Sequence, residues 1–392
     1  DNTTQANGAP GTSGLVTIAA PVLSISKNAV PAGGGTVIAS SELVTYTVDV
    51  RNTGTAPAYD TLVQDTLPLG MRNTTPVTVS ITLVNAGTTL PSLAPAYNSA
   101  TGVAIWNLTS GVANQYAIPA GETLRIVYRA QSDASLSAGM TLTNQALVQH
   151  YYSLDSTDPN AATRKDYGAT PVQSVTLTTA PAIALAKQAL VSTAAIGQPF
   201  TYRITVPATP QPTALHDVRV SDDISLAKTG VSLTYTSASA KLVSNTKTWA
   251  TLTNTGSATS LVLQDITAGA GLDIPAGDQL VVDVVVVLNN DPTNNIAGKQ
   301  FTNTANYTYN STNNDNTTQA IGAQGTSAPV TIAAPNLVMT KSGPATMLNA
   351  VPGTFTLNVQ NTGVATAWNP VLTDILPNGT TGGMCAAAPT GI

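Results

Sequence analysis

Apolar and polar residues alternate in short stretches along the whole chain. In one of them Val44, Tyr46, Val48 and Val50 alternate with Thr45, Thr47, Asp49 and Arg51, the period of two that leaves one strand face dry. Asn52-Thr-Gly54 interrupts the run with residues that tolerate positive φ. A second short strand then ends at Asp65, where Leu67-Pro68 stops it because proline cannot donate to a ladder. The pattern recurs. Phe200, Tyr202, Ile204 and Val206 alternate with polar residues ahead of Val218–Asp222, and Phe355, Leu357 and Val359 do so ahead of Asn361-Thr-Gly363, Asp374 and Leu376-Pro377. Three copies of one unit predict a repeat protein.

The rest of each unit follows the same order. Strands are expected near Leu15–Ile18, Val77–Val84, Val103–Leu108, Leu124–Ala130, Leu142–Tyr152 and Ser174–Thr178. Pro275-Ala-Gly277 matches Pro119-Ala-Gly121, Leu280–Leu288 matches Leu124–Ala130, Phe301–Tyr309 matches Leu142–Tyr152, and Val330-Thr-Ile332 matches Val16-Thr-Ile18. No helical period stands out. Short alternating strands separated by turn signals predict an all-β chain of tandem immunoglobulin-like β-sandwich domains. Asp1–Ala6 recurs as Asp315–Ala320, so residues 1–20 are expected to be the trailing strand of a preceding repeat. Residues 21–179 and 180–334 are then complete repeats, and residues 335–392 a partial third. The units join at Ala20-Pro21, Ala180-Pro181 and Ala334-Pro335, links too short for free swivelling.

Composition narrows the function classes. Charged residues make up only 9% of the 392 residues, far below the usual share of about a quarter. The net charge of −5 gives no basic patch for nucleic acid. Cys385 is the only cysteine, which excludes a disulfide framework. No apolar run reaches membrane-spanning length. These features point to an extracellular, cell-surface or secreted protein.

The opening Pro-x-Leu-x-x-x-Lys, the Tyr-Thr-Val-x-Val-x-Asn-Thr-Gly-x-Ala hairpin, Asp-Thr-Leu-Pro and the late Thr-Asn-x-Ala together resemble the "conserved repeat domain" (domain of unknown function eleven) of prokaryotic surface proteins. Unit two departs from it, with Pro207-Ala-Thr-Pro-Gln-Pro212 at the turn and Asp222-Asp-Ile-Ser after it. The resemblance implies extracellular spacers, stalks and filament subunits, without catalytic activity.

Strand parity singles out three residue types. Lys27 is in phase with Leu23 and Ile25, Lys187 with Ile183 and Leu185, and Lys341 with Leu337 and Met339. Asp65, Asp222 and Asp374 are in phase with neighbouring valines or leucines, and Asn144 and Asn303 with the apolar faces of late strands. Lysine is almost never buried without a partner. Each complete unit is therefore expected to aim a Lys, an Asp and an Asn into its core from three strands, with Lys and Asn 117 and 116 residues apart in the two units. This constellation resembles the intramolecular isopeptide domains of bacterial pilins and adhesins, in which a Lys amine attacks an Asn carboxamide and ammonia leaves. Burial lowers the lysine pKa and raises that of the aspartate, giving a neutral nucleophile beside a proton shuttle. A buried Lys–Asp ion pair with Asn as hydrogen-bond partner satisfies the same pattern. The crosslink sets are Lys27, Asp65 and Asn144, and Lys187, Asp222 and Asn303; Lys341 and Asp374 form an incomplete third.

Other candidates carry less. Asp155, Asp158, Asp291 and Asp315 sit in oxygen-rich loops that could take calcium but lack EF-hand spacing; no other cofactor is implied. His216 and Asp217 are adjacent and so expected on opposite faces, which assembles no triad. Trp106, Trp249 and Trp368 read as core or interface plugs. The sequence thus predicts a non-enzymatic structural segment of a filament, sheath or stalk that self-associates. The alternative is an adhesin binding a glycan or host protein through its loops.

Overall fold

The computed structural model describes residue 14 and residues 16–109, 115–244, 246–267, 271–313, 319–348 and 351–376. Asp1–Ala6, Leu15, Asp315, Pro377 and Cys385 lie outside the described residues.

The first unit contributes β1 (Leu23–Pro31), β2 (Val37–Ile38), β3 (Leu43–Asn52), β4 (Tyr59–Thr66), β5 (Val77–Leu83), β6 (Thr88–Leu90), β7 (Ala96–Asn98), β8 (Val103–Asn107), β9 (Thr123–Gln131), β10 (Thr141–Tyr152) and β11 (Gln173–Thr179). They form two sheets, ordered β1-β3-β9-β5-β6 and β2-β11-β10-β4-β8-β7. Alternation works as read: Val44, Tyr46, Val48 and Val50 are buried between the sheets together with Leu124, Ile126, Tyr128 and Trp106. Burying large apolar side chains of this kind stabilises by roughly 1.5–3 kcal/mol each before the entropy of ordering is set against it.

The second unit repeats the plan with β12 (Ala186–Ala189), β13 (Thr193–Ala194), β14 (Pro199–Val206), β15 (His216–Asp223), the short α1 (Leu226–Thr229), β16 (Leu233–Leu242), β17 (Thr248–Trp249), β18 (Thr253–Asn254), β19 (Ser260–Gln264), β20 (Leu280–Leu288), β21 (Gln300–Phe301), β22 (Thr304–Asn310), β23 (Gln319–Thr326) and β24 (Val330–Ile332). One sheet runs β12-β14-β20-β16-β17; the facing layer is divided into β18-β19-β15-β22-β23 and β13-β24-β21. Here the sequence reading needs correction. The strand expected over Phe301–Tyr309 is interrupted at Thr302 and Asn303, because β21 pairs with β24 while β22 turns to β15 and β23. The third repeat is represented by a ribbon of β25 (Leu337–Ser342) and β26 (Thr356–Asn361).

The strand expected over Leu15–Ile18 is a second correction. Residues 16–20 are not strand, with Val16 and Ile18 each 87% exposed and only Ala20 held, by Thr55. The identical Val-Thr-Ile-Ala-Ala-Pro at 330–335 is strand from Val330 to Ile332, with both apolar side chains buried against β13 and β21.

The Asn-Thr-Gly turn has a mechanical reason. Asn52 Oδ1 accepts hydrogen bonds from the amides of Val22 (3.2 Å) and Gly54 (3.0 Å), while Nδ2 donates to Ala56 and Ile118 carbonyls at 2.8 and 2.9 Å. The turn thereby grips the Ala-Pro joint. A Cβ on Gly54 would lie 2.3 Å from the Ala20 carbonyl oxygen, and one on Gly363 2.4 Å from that of Ala334. In the second unit Gln211 takes over, its Oε1 accepting from the Ile183 amide at 3.1 Å.

The joint between the first two units is wider than the Ala-Pro link. The loop Asp133–Gly139 lies along the second unit: Ala214 N donates to the Leu136 carbonyl (2.8 Å), Ala138 N to the Ala214 carbonyl (3.2 Å), and Ala138 itself packs into the second unit's core. His216 Nε2 donates to the Ser135 carbonyl at 2.8 Å.

Candidate functional site

In the first unit Lys27 pairs across to Val48, and Tyr46 to Tyr128, so all four belong to the sheet of β1, β3 and β9. Asp65 and Asn144 come from β4 and β10 of the facing sheet, where Asp65 lies opposite Ala146, two residues from Asn144. The cluster therefore spans the sandwich. The side chains of Lys27 and Asp65 are fully buried and form an ion pair. Lys27 Nζ also donates to the Tyr128 hydroxyl at 3.0 Å, and Asn144 Nδ2 donates to the same hydroxyl at 2.9 Å. The ammonium rests 4.8 Å from the Tyr46 ring centroid and 5.2 Å from that of Tyr128, close enough for cation–π attraction. The two rings stack at 5.1 Å. Burial pulls the Lys27 pKa down against the attraction of Asp65, and pushes that of Asp65 up against the attraction of Lys27. Both shifts favour passing the proton from amine to carboxylate.

The second unit places Lys187 opposite Ile204, and Tyr202 opposite Val284. Asp222 on β15 lies opposite Ala305. Asn303 occupies the break between β21 and β22, held by its backbone: its amide donates to Ser327 Oγ at 3.1 Å and its carbonyl accepts from the Ser327 amide at 2.9 Å. Lys187 Nζ is 2.6 Å from Asp222 Oδ2, both side chains fully buried. Lys187 Nζ, both Asp222 oxygens, both polar atoms of Asn303 and the Tyr202 hydroxyl are all buried without a hydrogen-bond partner. Burial lowers the Lys187 pKa here too, against the pull of Asp222.

The third set is open to solvent. Lys341 Nζ and Asp374 Oδ1 are 2.5 Å apart, with the lysine side chain 31% exposed and 4.8 Å from the Phe355 ring.

The sequence brought Lys, Asp and Asn together but missed Tyr128. Its signal was present: aligning Pro119-Ala-Gly121 with Pro275-Ala-Gly277 puts Tyr128 opposite Val284, the one position where the two pockets differ in hydrogen-bonding capacity along that strand. Chemically, a buried amine beside a carboxyl and a carboxamide can form a side-chain amide, with the fold supplying proximity.

The remaining candidates are scattered. Asp155 Oδ1 accepts from Thr157 N at 2.7 Å, Asp158 Oδ1 from Asn160 N at 2.7 Å, and Asp291 Oδ1 from Thr293 and Asn294 amides at 3.1 and 3.0 Å. These carboxylates thus close their own turns. Among the described residues no three His, Cys, Asp or Glu side chains gather as a metal site, and no helix is long and apolar enough to cross a membrane. Trp106 is fully buried, whereas Trp368 is 75% exposed. His216 and Asp217 are both buried, contrary to strand parity, because a bulge with φ 47° at Asp217 breaks the alternation.

No family model matches the chain, so the resemblance to the conserved repeat domain rests on the motifs quoted above; no curated protein matches either. Solved structures do. The C-terminal domain of the Streptococcus pyogenes antigen I/II-family protein AspA aligns at 10% identity over 78% of this chain and 99% of its own, with a TM-score of 0.28. The Enterococcus faecalis MSCRAMM ACE aligns at 11% identity over 78% and 94%, with a TM-score of 0.25. The collagen adhesin CNA from S. aureus aligns at 10% over 87% and 95%, with a TM-score of 0.24.

Proposed function

We propose that this chain is a structural segment of a prokaryotic surface stalk, sheath or extracellular filament, built from tandem sandwiches that carry tension and are stapled internally by Lys–Asn side-chain amides. The observation that carries this reading is the fully buried Lys–Asp pair next to a buried Asn, placed between the two sheets of one complete unit and repeated in the next. Such a bond ties the first strand of a unit to a late one. It withholds the chain between its ends from extension: over 116 residues that is about 400 Å of contour. A chain without a disulfide framework and with few surface charges gains robustness by this route that ion pairs on its surface would not supply.

The test is intact mass. Folded protein lighter than its sequence by one ammonia per bond supports the reading, and pulling a single molecule should then release a contour shorter by the stapled length. An unmodified mass in well-folded protein leaves only buried ion pairs and sinks the proposal.

A further inference from the structure

Two pockets of the same design differ in hydrogen-bonding capacity on one strand, where the first has Tyr128 and the second Val284, and that difference bears directly on which pocket can react. In the first, the Tyr128 hydroxyl takes one hydrogen bond from Lys27 Nζ and another from Asn144 Nδ2. The phenol oxygen bridges nucleophile and carboxamide by drawing one hydrogen of each nitrogen toward itself. Lys27 is thus kept as a satisfied donor, and Asn144 is held by its amino group. In the second pocket the isopropyl group of Val284 can do neither. Six polar atoms of Lys187, Tyr202, Asp222 and Asn303 are buried without a hydrogen-bond partner, Lys187 and Asp222 meeting only as an ion pair, against two such atoms, Asp65 Oδ1 and Asn144 Oδ1, in the first pocket; native interiors do not normally tolerate such a concentration.

We infer that the second unit forms the Lys187–Asn303 amide while Tyr128 holds the first unit uncrosslinked, making Tyr128 a positioning residue that gates the reaction. The inference rests on the crosslinking reading proposed above and assigns the bond to one unit. The step balances within the pocket. A proton passes from Lys187 Nζ to Asp222 Oδ2, 2.6 Å away, leaving a neutral amine and a carboxylic acid. Nζ attacks Asn303 Cγ; the Nζ–Cγ bond forms, the Cγ–Nδ2 bond breaks, and Asp222 relays a proton from Nζ to Nδ2. Neutral ammonia leaves, and Asp222, having given one proton to Nδ2 and taken one from Nζ, ends as the carboxylic acid it was. The reaction uses no oxidant, metal or cofactor atoms. Its product removes the unpaired amine and carboxamide and leaves one amide N–H and C=O for the Asp222 oxygens and the Tyr202 hydroxyl.

The experiment is intact mass followed by peptide mapping of the full chain, on wild type and on Tyr128→Phe and Val284→Tyr. Wild type is expected to lack one ammonia, with the branched peptide joining Lys187 to Asn303. Tyr128→Phe keeps the ring and deletes the hydroxyl, so a second ammonia should be lost, joining Lys27 to Asn144. Val284→Tyr should abolish the first loss. Wild type lacking two ammonias, or a single bond mapped to Lys27, overturns the gating inference and leaves the crosslinking reading intact. Wild type of full sequence mass overturns both. Should Val284→Tyr fail to fold, the wild-type map and Tyr128→Phe still decide the matter, since a purely structural tyrosine would not change the mass of unit one.

Discussion

The first and second units place the same Lys–Asp pair between the same two layers, yet they solve its burial in opposite ways. The first surrounds it with hydrogen-bonding aromatics: Tyr128 serves both Lys27 and Asn144, and the rings of Tyr46 and Tyr128 cover the ammonium. The second has one ring, Tyr202, at 4.7 Å, and gives its polar atoms no hydrogen-bond partner, where in the first only Asp65 Oδ1 and Asn144 Oδ1 lack one. A buried charge pair is stable only where its remaining donors and acceptors are satisfied. A pocket can meet that condition with a neighbouring hydroxyl or by consuming the groups in a covalent bond. The pair thus teaches that a reactive site and a structural network can share nearly every residue.

Removing the staple should separate the units most widely. Lys187→Ala should cost the second unit about 4–5 kcal/mol, by loop-closure reasoning carried over from disulfides, and should restore the missing ammonia. In denaturant the wild-type second unit should outlast the first, and in the variant the order should reverse. Equal loss from Lys27→Ala and Lys187→Ala, with no change of order, would mean that the two pockets are stabilised alike.

Breaking the first pocket is next. Asp65→Asn keeps the shape of the side chain but leaves Lys27 without a counter-charge, an exchange expected to cost about 3–5 kcal/mol. Unfolding of the first unit followed by tyrosine fluorescence or by circular dichroism measures it. Wild-type stability would mean that the Tyr128 hydroxyl and the aromatic faces hold the ammonium unaided.

How far these contrasts were legible beforehand depends on what set each residue's environment. Alternation in Val44–Val50 was enough to place a strand and its dry face, because the pleat fixes side-chain direction locally. It also put Lys27, Asp65 and Asn144 on the inner faces. It failed at His216 and Asp217, where a bulge adds one residue and resets the parity. It held at Asn303, which is buried in phase with Phe301, Ala305 and Tyr307 although it leaves the ladder because its two flanking strands choose different partners. The hexapeptide at 16–21 and 330–335 marks the limit most clearly: its Val-Thr-Ile is exposed and outside any strand in the first place and buried strand in the second. Strand formation there is decided by the neighbours available, which no local pattern records.

The turns sharpen the comparison at smaller scale. Gly54→Ala forces a methyl to within 2.3 Å of the Ala20 carbonyl, and the backbone there can give way only by loosening the Asn52 grip. The expected loss is roughly 1–3 kcal/mol, typical of overpacking, with faster hydrogen exchange at Val22 and Thr53. In the second unit, where Gln211 Oε1 accepts from the Ile183 amide instead, Gln211→Ala should speed exchange at Ile183. Similar exchange rates in Gly54→Ala and wild type would show that the Asn52 grip does not protect the Ala20-Pro21 joint.

The smallest effect concerns that loop. His216 donates to the Ser135 carbonyl of the first unit, and its Nδ1 lies 3.6 Å from Asp273 Oδ1, with Asp217 the other charged neighbour. Burial pulls the imidazole toward neutrality, but Asp273 and the Ser135 carbonyl outweigh it and raise the pKa above 6.5. Burial likewise opposes ionisation of Asp273, but His216 and the Asp217 amide hold its pKa below the usual carboxylate range, so the acid stays charged while the imidazole titrates. The folded state therefore binds the His216 proton more tightly than the unfolded chain does. The stabilisation is fully present below pH 6.5 and is lost as pH rises through the folded pKa. The joint should be firmest in mild acid and loosen toward alkaline pH, followed by the denaturation midpoint of the second unit and by amide exchange at Ala214. His216→Gln, which preserves a donor for Ser135 without the titration, should flatten the profile between those limits. A profile unchanged by the substitution would assign the pH dependence elsewhere and leave the joint held by its backbone bonds.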